Sequence, residues 1–486
     1  MRRIWPLLLG IAGLTIWPQL SFAQIPTNPP NVVDLPCTNK PADPEALKGT
    51  ADVTKALLSF GLPCQEKVST ADPPNVRRTA LQNLQHGFDF YSWLTFIALN
   101  SPRDGSSIAD AKPDTPTKWE GLWEDKLPFI QLADVMRTDV KDPGKQPRAI
   151  PPNCQAQYKP GMMVINMIEE TYNQPFKTGP LIDQRDNYAL FDILMNKDMF
   201  DYIVQHHLYS KTQQESAENS TLKIDFAAGS NAADKPRLGA MMIKVAWRIL
   251  TAADDKSKYH TVDALISMPT APDQTSDPPC LHKTLGLVGF HIVHKTVSRL
   301  QWIWTSFEHV DNVPDQEDID NHDLKKFYNF YDPSCSSEKC PVNETPSRPW
   351  FPDRALELQF RNSFNSQIVR TTPIFADAQA MNRQFQSLLG NTVWQNYKLI
   401  STQWPSDFTC AGQTDPKVPP ANSPTAPNTD EKKQPDMTCA PAPTFLANST
   451  LETFSQGNTP LASSSCMACH GNAVSHQQQQ AGSVFP

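Results

Sequence analysis

The sequence predicts an α+β fold, in which an antiparallel sheet packs with helices and a C-terminal segment folds back on that body. Three observations lead there. Residues 88–100 are apolar and aromatic around most of a helical circumference, the mark of a deeply buried helix. Four stretches between residues 241 and 310 are rich in Val, Ile, Trp and Phe with partial alternation, as strands are. A stretch rich in Pro, Thr, Asn and Lys, residues 411–443, then sets a short C-terminal segment apart from everything before it.

With 486 residues, 39% of them hydrophobic, the chain can bury one large core or two moderate ones. Lys and Arg number 43 against 51 Asp and Glu, and no basic patch stands out, so nucleic acid is not an expected partner.

In chain order, the first 23 residues read as a secretory signal peptide. Arg2 and Arg3 open it, an apolar run follows, and Ser21-Phe22-Ala23 supplies small residues before a cleavage near Ala23. A periplasmic or secreted location is expected. No later run is long and apolar enough to cross a bilayer, so no transmembrane segment is expected in the mature chain. Residues 24–80 are polar and proline-rich, an N-terminal arm with one short helix near 44–58.

The main α+β domain is expected over residues 81–410. It opens with the helix at 88–100, followed by Trp119 and Trp123. Residues 124–186 lack a sustained period and read as loops and short elements. A stripe of Leu190, Ile193, Leu194, Ile203 and Val204 predicts a helix over 188–209. It ends in His206-His207, a pair that at a helix end meets the dipole or solvent. Strands are expected over 241–250, 260–268, 285–296 and 300–310, the last two joined by a hairpin turn at Val297-Ser298-Arg299. A final long helix is signalled by Thr371-Thr372-Pro373, with Met381, Phe385, Leu388 and Leu389 as its buried stripe. Gly390 separates it from residues 393–400. The linker 411–443 follows, and residues 444–486 form the C-terminal segment.

That segment contains Cys466-Met467-Ala468-Cys469-His470. Two thiols three apart share one face of a helical turn, and a histidine follows them directly. The spacing suits covalent haem attachment: each thiol can add to one haem vinyl group, and the imidazole can coordinate iron. A zinc site needs a second ligand pair, and no other Cys-x-x-Cys occurs in the chain. A thioredoxin-like motif follows a strand, whereas this one follows Ser463-Ser464-Ser465. Export agrees with this reading, because c-type haem is attached outside the bacterial cytoplasm. The expectation is one covalent haem c on Cys466 and Cys469, with His470 as proximal iron ligand.

The other eight cysteines, an even number in an exported chain, suggest disulfides. Proximity pairs Cys335 with Cys340, Cys410 with Cys439 and Cys37 with Cys64, which leaves Cys154 with Cys280.

The run Cys466–His470 resembles the attachment motif of c-type cytochromes. In the small cytochrome c fold, the resemblance implies, a methionine ligand lies well downstream, but here only Gly471 to Pro486 follow and none is methionine. Residues 88–100, 286–296, 301–312 and 445–454 resemble segments of large exported bacterial monohaem proteins of the cytochrome c family, which brings no established activity with it. The haem cover must then come from the large domain, since the tail is too short to supply one. His291 is the first candidate for a distal ligand and His309 the second. Gly289 lies two positions before His291 on the same strand face, where missing side-chain volume leaves room for a flat ligand. Methionines 162, 163, 167, 241 and 242 are further candidates, and His476 is too close to the motif to pass round the ring.

Three functions compete. The leading one is a periplasmic c-type cytochrome that transfers single electrons to and from a redox partner protein. The second is a peroxidase-like haem-dependent oxidoreductase with its substrate pocket in the large domain, which the size of that domain favours. The third is a haem-based sensor or scaffold.

Overall fold

The computed structural model describes residues 37–39, 61–68, 80–120, 129–131, 150–159, 162–166, 179–208, 224–268, 279–325, 327–346, 365–405, 441–443, 446, 448–455 and 465–471. In chain order these form β1 (Cys37–Thr38), β2 (Leu62–Pro63), α1 (Ala80–Asn100), β3 (Phe129–Gln131), β4 (Met163–Asn166), β5 (Leu190–Asn196), α2 (Lys197–Gln205) and β6 (Met241–Ile249). There follow β7 (Thr261–Ser267), β8 (Cys280–Thr296), β9 (Arg299–His309), α3 (Gln316–Asp320), α4 (Ala376–Leu388), β10 (Tyr397–Pro405), β11 (Pro441–Ala442) and α5 (Cys466–Gly471).

The fold is α+β, built on one large sheet with strand order β11-β10-β9-β8-β6-β5-β3. The long strand β8 organises it. β6 runs along one side of β8, while β9 and then β7 share the other, all antiparallel. Branched and aromatic side chains fill these strands because pleated, buried surface suits them. The sheet is mixed, not antiparallel throughout, because β4 adds to the outer edge of β7 in parallel. β4 is separated from β7 by two intervening strands of sequence, so no hairpin dictates its direction. The disulfide Cys154–Cys280, with Cα atoms 5.0 Å apart, ties the β4 approach to the start of β8.

One face of the sheet carries α1 and α4. Trp93 of α1 stacks on Phe385 of α4 with centroids 4.9 Å apart, and Phe96 stacks on Phe307 of β9 at 4.2 Å. Each such fully buried ring contributes about 2–3 kcal/mol through area removed from water. Hydroxyls meet across this interface: Ser92 Oγ lies 2.6 Å from Thr305 Oγ1 and 2.7 Å from Thr402 Oγ1.

The described part of the N-terminal arm, residues 37–39 and 61–68, lies against the body. Its parallel pair β1–β2 is closed by Cys37–Cys64. Gln65 binds it to the sheet, donating to Ala228 O at 3.0 Å and accepting from Val297 N at 2.7 Å. The expected pair Cys335–Cys340 is also a disulfide. Cys410, Cys439, the helix expected near 44–58, Trp123 and the linker up to residue 440 lie outside the described residues.

Two expectations need correction. The helix expected over 188–209 is strand β5 followed by the shorter helix α2. β5 is buried on both faces, and a continuous apolar run of that length reads equally well as a helix. Asn196 marks the change: its side-chain oxygen caps Met199 N at 3.2 Å and also accepts from Met241 N at 3.0 Å. The final helix starts at Ala376, not at Thr372-Pro373, because Arg370 is held in an extended bridge to Asp315. Residues 393–400 form a 3-10 turn that leads into β10. The expected strands and the turn at Val297-Ser298 are present.

Candidate functional site

Strand alternation gives the sheet a second face, away from α1 and α4. Lys244 on β6, His291 on β8, and Ser306 on β9 form one lateral row across it. The next row holds Met242, Val293, Trp304 and, on β10, Gln403. On the other side of His291 lie Ala246, Gly289 and Glu308.

The C-terminal segment folds back onto this face. Asn448 Nδ2 donates to Phe307 O at 2.8 Å and Ser306 Oγ at 3.1 Å. Ser449 donates through its hydroxyl to Glu308 Oε2 at 2.6 Å and through its backbone at 3.0 Å. Glu308 is fully buried; burial works to raise its carboxyl, but the Arg370 and Lys398 cations outweigh that and hold it below the ordinary range. Residues 448–452 make one helical turn, in which Asn448 Oδ1 accepts from Thr450 N at 2.9 Å. That turn fills the space over Gly289: a Cβ there would meet Thr450 Oγ1 at 2.3 Å and Leu451 Cγ at 3.2 Å. The volume missing at Gly289 therefore admits the chain's own C-terminal segment, and the expectation that it makes room for a flat ligand is overturned.

Helix α5 carries the motif. Cys466 and Cys469 take its first and fourth positions, and His470 the fifth. Gln403 holds its start: Oε1 accepts from Met467 N at 2.8 Å, while Nε2 donates to Ser465 Oγ at 3.0 Å and Pro443 O at 2.8 Å. One turn on, the His470 ring lies against Trp304, centroids 4.5 Å apart and tilted by 43°. Cys466 is buried in an apolar cluster with Met195, Val293, Trp302, Trp304 and Leu446, most of it contributed by the large body.

Ionisable groups surround His470. Burial pushes its imidazole down to about 4, and the Lys244 cation and His291 add to this while Glu452 opposes it. The ring is thus neutral near pH 7, the form that donates a lone pair to a metal. His291 Nε2 lies 3.3 Å from Glu452 Oε1 yet is misaligned for a hydrogen bond, and it is a buried nitrogen with no hydrogen-bond partner. Burial works to raise the Glu452 carboxyl, but His291 and Lys244 outweigh it and hold it low. Burial lowers Lys244, countered by Glu452 and Cys466.

The structure thus brings His470 beside His291, with Cys466 one turn earlier on the same short helix. It places His309 elsewhere: Nε2 lies 3.0 Å from Lys258 O, Nδ1 accepts from Asp311 N at 3.1 Å, and the ring stacks on Tyr259. His309 is a hydrogen-bonded core residue. Met241 belongs to the core on the α1 face, whereas Met242 packs against the cluster that holds Cys466. Met162 and Met163 lie on the approach to β4 and on β4 itself, while Met167 and His476 lie outside the described residues. Among the described residues no group of three or more His, Cys, Asp or Glu is arranged to hold a metal ion.

Sequence reading missed Lys244, Glu452, Trp304 and Gln403. One of them carried a signal, since Lys244 is the one charged residue in the otherwise apolar run from Met241 to Trp247. Glu452 and Trp304 gain their meaning only from contacts across the sheet.

The residues present suit a covalent haem. The apolar cluster around Cys466 supplies the cover a haem needs, and His291 Nε2 is a buried ring nitrogen that makes no aligned hydrogen bond and has only Glu452 Oε1, at 3.3 Å, beside it. Comparison of the chain with protein-family models, with curated proteins and with solved structures finds no match to any of them.

Proposed function

We propose that this chain is an exported c-type cytochrome with one covalent haem c, held by Cys466 and Cys469 and ligated by His470, that passes single electrons to and from a partner protein. The observation that carries the reading is a Cys-x-x-Cys-His helix anchored on a buried sheet face, with the histidine kept neutral beside an apolar wall. When bound, the haem supplies a one-electron iron couple. The chain's own part is to hold the attachment helix through Gln403, to keep His470 as a neutral donor, and to exclude water with Trp304, Val293 and Leu446. His291 is the distal candidate. Export through the N-terminal signal belongs to the same proposal, and the three disulfides agree with an oxidising compartment. No helix among the described residues is long and apolar enough to cross a membrane.

A second reading has its own observation. Lys244, His291 and Glu452 place three ionisable groups beside the motif, where a simple carrier gains nothing from them. Such groups serve proton transfer, which favours a peroxidase-like oxidoreductase.

The mature protein is to be isolated from cells competent in cytochrome c maturation. The expected mass exceeds that of the polypeptide by one haem, and haem stain survives denaturing electrophoresis. Stain is lost when Cys466→Ala and Cys469→Ala are combined. An unmodified mature mass refutes the proposal. Visible and EPR spectra of the ferric protein separate the two readings: a low-spin six-coordinate iron supports the carrier, a high-spin iron with an open position the enzyme.

A further inference from the structure

We infer that Gln403 is a positioning residue for the haem-bearing helix and, through it, for His470. The inference rests on the haem reading above, and its grounds are geometric. Gln403 is fully buried near the end of β10, where a neutral amide has no reason to stand unless its hydrogen-bonding capacity is used. It is used. The carboxamide contacts Pro443, the last residue of the linker, and Ser465 and Met467 of the C-terminal segment, which lie on both sides of residues 444–464.

The Met467 amide is one of the first N–H groups of α5, which have no partner within the helix. A helix of six residues gains little from its own hydrogen bonds, so its axis is set by whatever binds its ends. Gln403 binds the first turn from the sheet. Its register partner on β9 is Trp304, the residue against which the His470 ring rests. The two neighbouring strand positions therefore grip the helix at both ends, one by hydrogen bonds and one by a ring contact. The amide is suited to the first task because it accepts and donates at once. Aspartate, glutamate and aliphatic side chains lack one or both functions.

Gln403→Ala tests this, with Gln403→Glu and Ser465→Ala beside it. Amide hydrogen exchange at Met467 is the first readout, and it needs no haem. The expected result is an exchange rate about tenfold higher in Gln403→Ala, since one buried acceptor is lost. Gln403→Glu keeps that acceptor and is expected to retain the protection, while Ser465→Ala leaves the Met467 bond intact and exchanges as the parent does. The second readout is the ferric EPR spectrum and midpoint potential of the haem-loaded protein, expected to shift in Gln403→Ala and to stay near the parent's in Ser465→Ala. Unchanged Met467 exchange in Gln403→Ala overturns the inference. A lower melting temperature with unaltered spectrum and potential also overturns it, since Gln403 is then only a packing residue. Failure of the haem reading is distinguishable: the parent protein then lacks the haem mass, while the exchange experiment still tests the grip on α5.

Discussion

Asp89 is a carboxylic acid sealed between α1 and β10, where Oδ1 accepts from Thr402 N and Gln85 Nε2, each at 3.0 Å. Burial raises its pKa from 3.8 to about 7 against the lowering effect of those bonds. Between these two values the folded protein binds more protons than the unfolded chain, so stability falls as pH rises from 3.8 to about 7 and levels off above. Asp89→Asn keeps the accepting oxygen and removes the charge. Chemical denaturation is expected to show a gain of about 1–3 kcal/mol at pH 8 and little change at pH 4. An equal effect at both pH values contradicts this. At His291 the expectation is spectroscopic: His291→Ala converts a low-spin ferric spectrum to high-spin while covalent haem is retained. An unchanged low-spin spectrum excludes His291 as the distal ligand.

At the scale of elements, the docking of the turn 448–452 onto β8 depends on one missing side chain. Gly289→Ala places a Cβ 2.3 Å from Thr450 Oγ1 and 3.2 Å from Ala246 Cβ. Neither neighbour can move freely, because Thr450 Oγ1 donates to Asn448 Oδ1 at 2.7 Å and Ala246 is strand backbone. The substitution is expected to cost about 1–3 kcal/mol and to speed amide exchange across residues 448–452. Thr450→Ala in the same chain removes the clashing oxygen and is expected to recover part of the loss, a coupling that a double-mutant cycle measures. Additive losses in that cycle would mean that the two residues do not meet.

At the scale of the molecule, the disulfides differ in how much chain they constrain. Cys154–Cys280 spans 126 residues and Cys335–Cys340 spans 5. Loop-closure entropy assigns about 5 kcal/mol to the first and about 2 kcal/mol to the second. Replacing both cysteines of each pair by alanine is therefore expected to lower the urea midpoint more for Cys154–Cys280. The reverse order would show that strain or residual structure dominates.

The same scale separates what is legible in the chain from what is not. Phe88 to Asn100 announces a buried helix, and the β6 to β9 stretches announce strands, because period and side-chain shape are local properties. The Cys466-to-His470 spacing, equally local, is what the proposed haem reading starts from. Residues 190–196 misled because burial on both faces erases the alternation that distinguishes a strand from a helix. The parallel course of β4, the meeting of Lys244, His291 and Glu452, and the grip of Gln403 on α5 lie beyond any local pattern. Gly289 shows the divide most plainly: its lack of a side chain marks a close approach, but what approaches is Thr450, far away in sequence. The sequence by itself determined the buried helix, the strands β6 to β9 and the motif. Only the tertiary structure decided which side chains share a face, because that depends on register across strands and on where the C-terminal segment comes to rest.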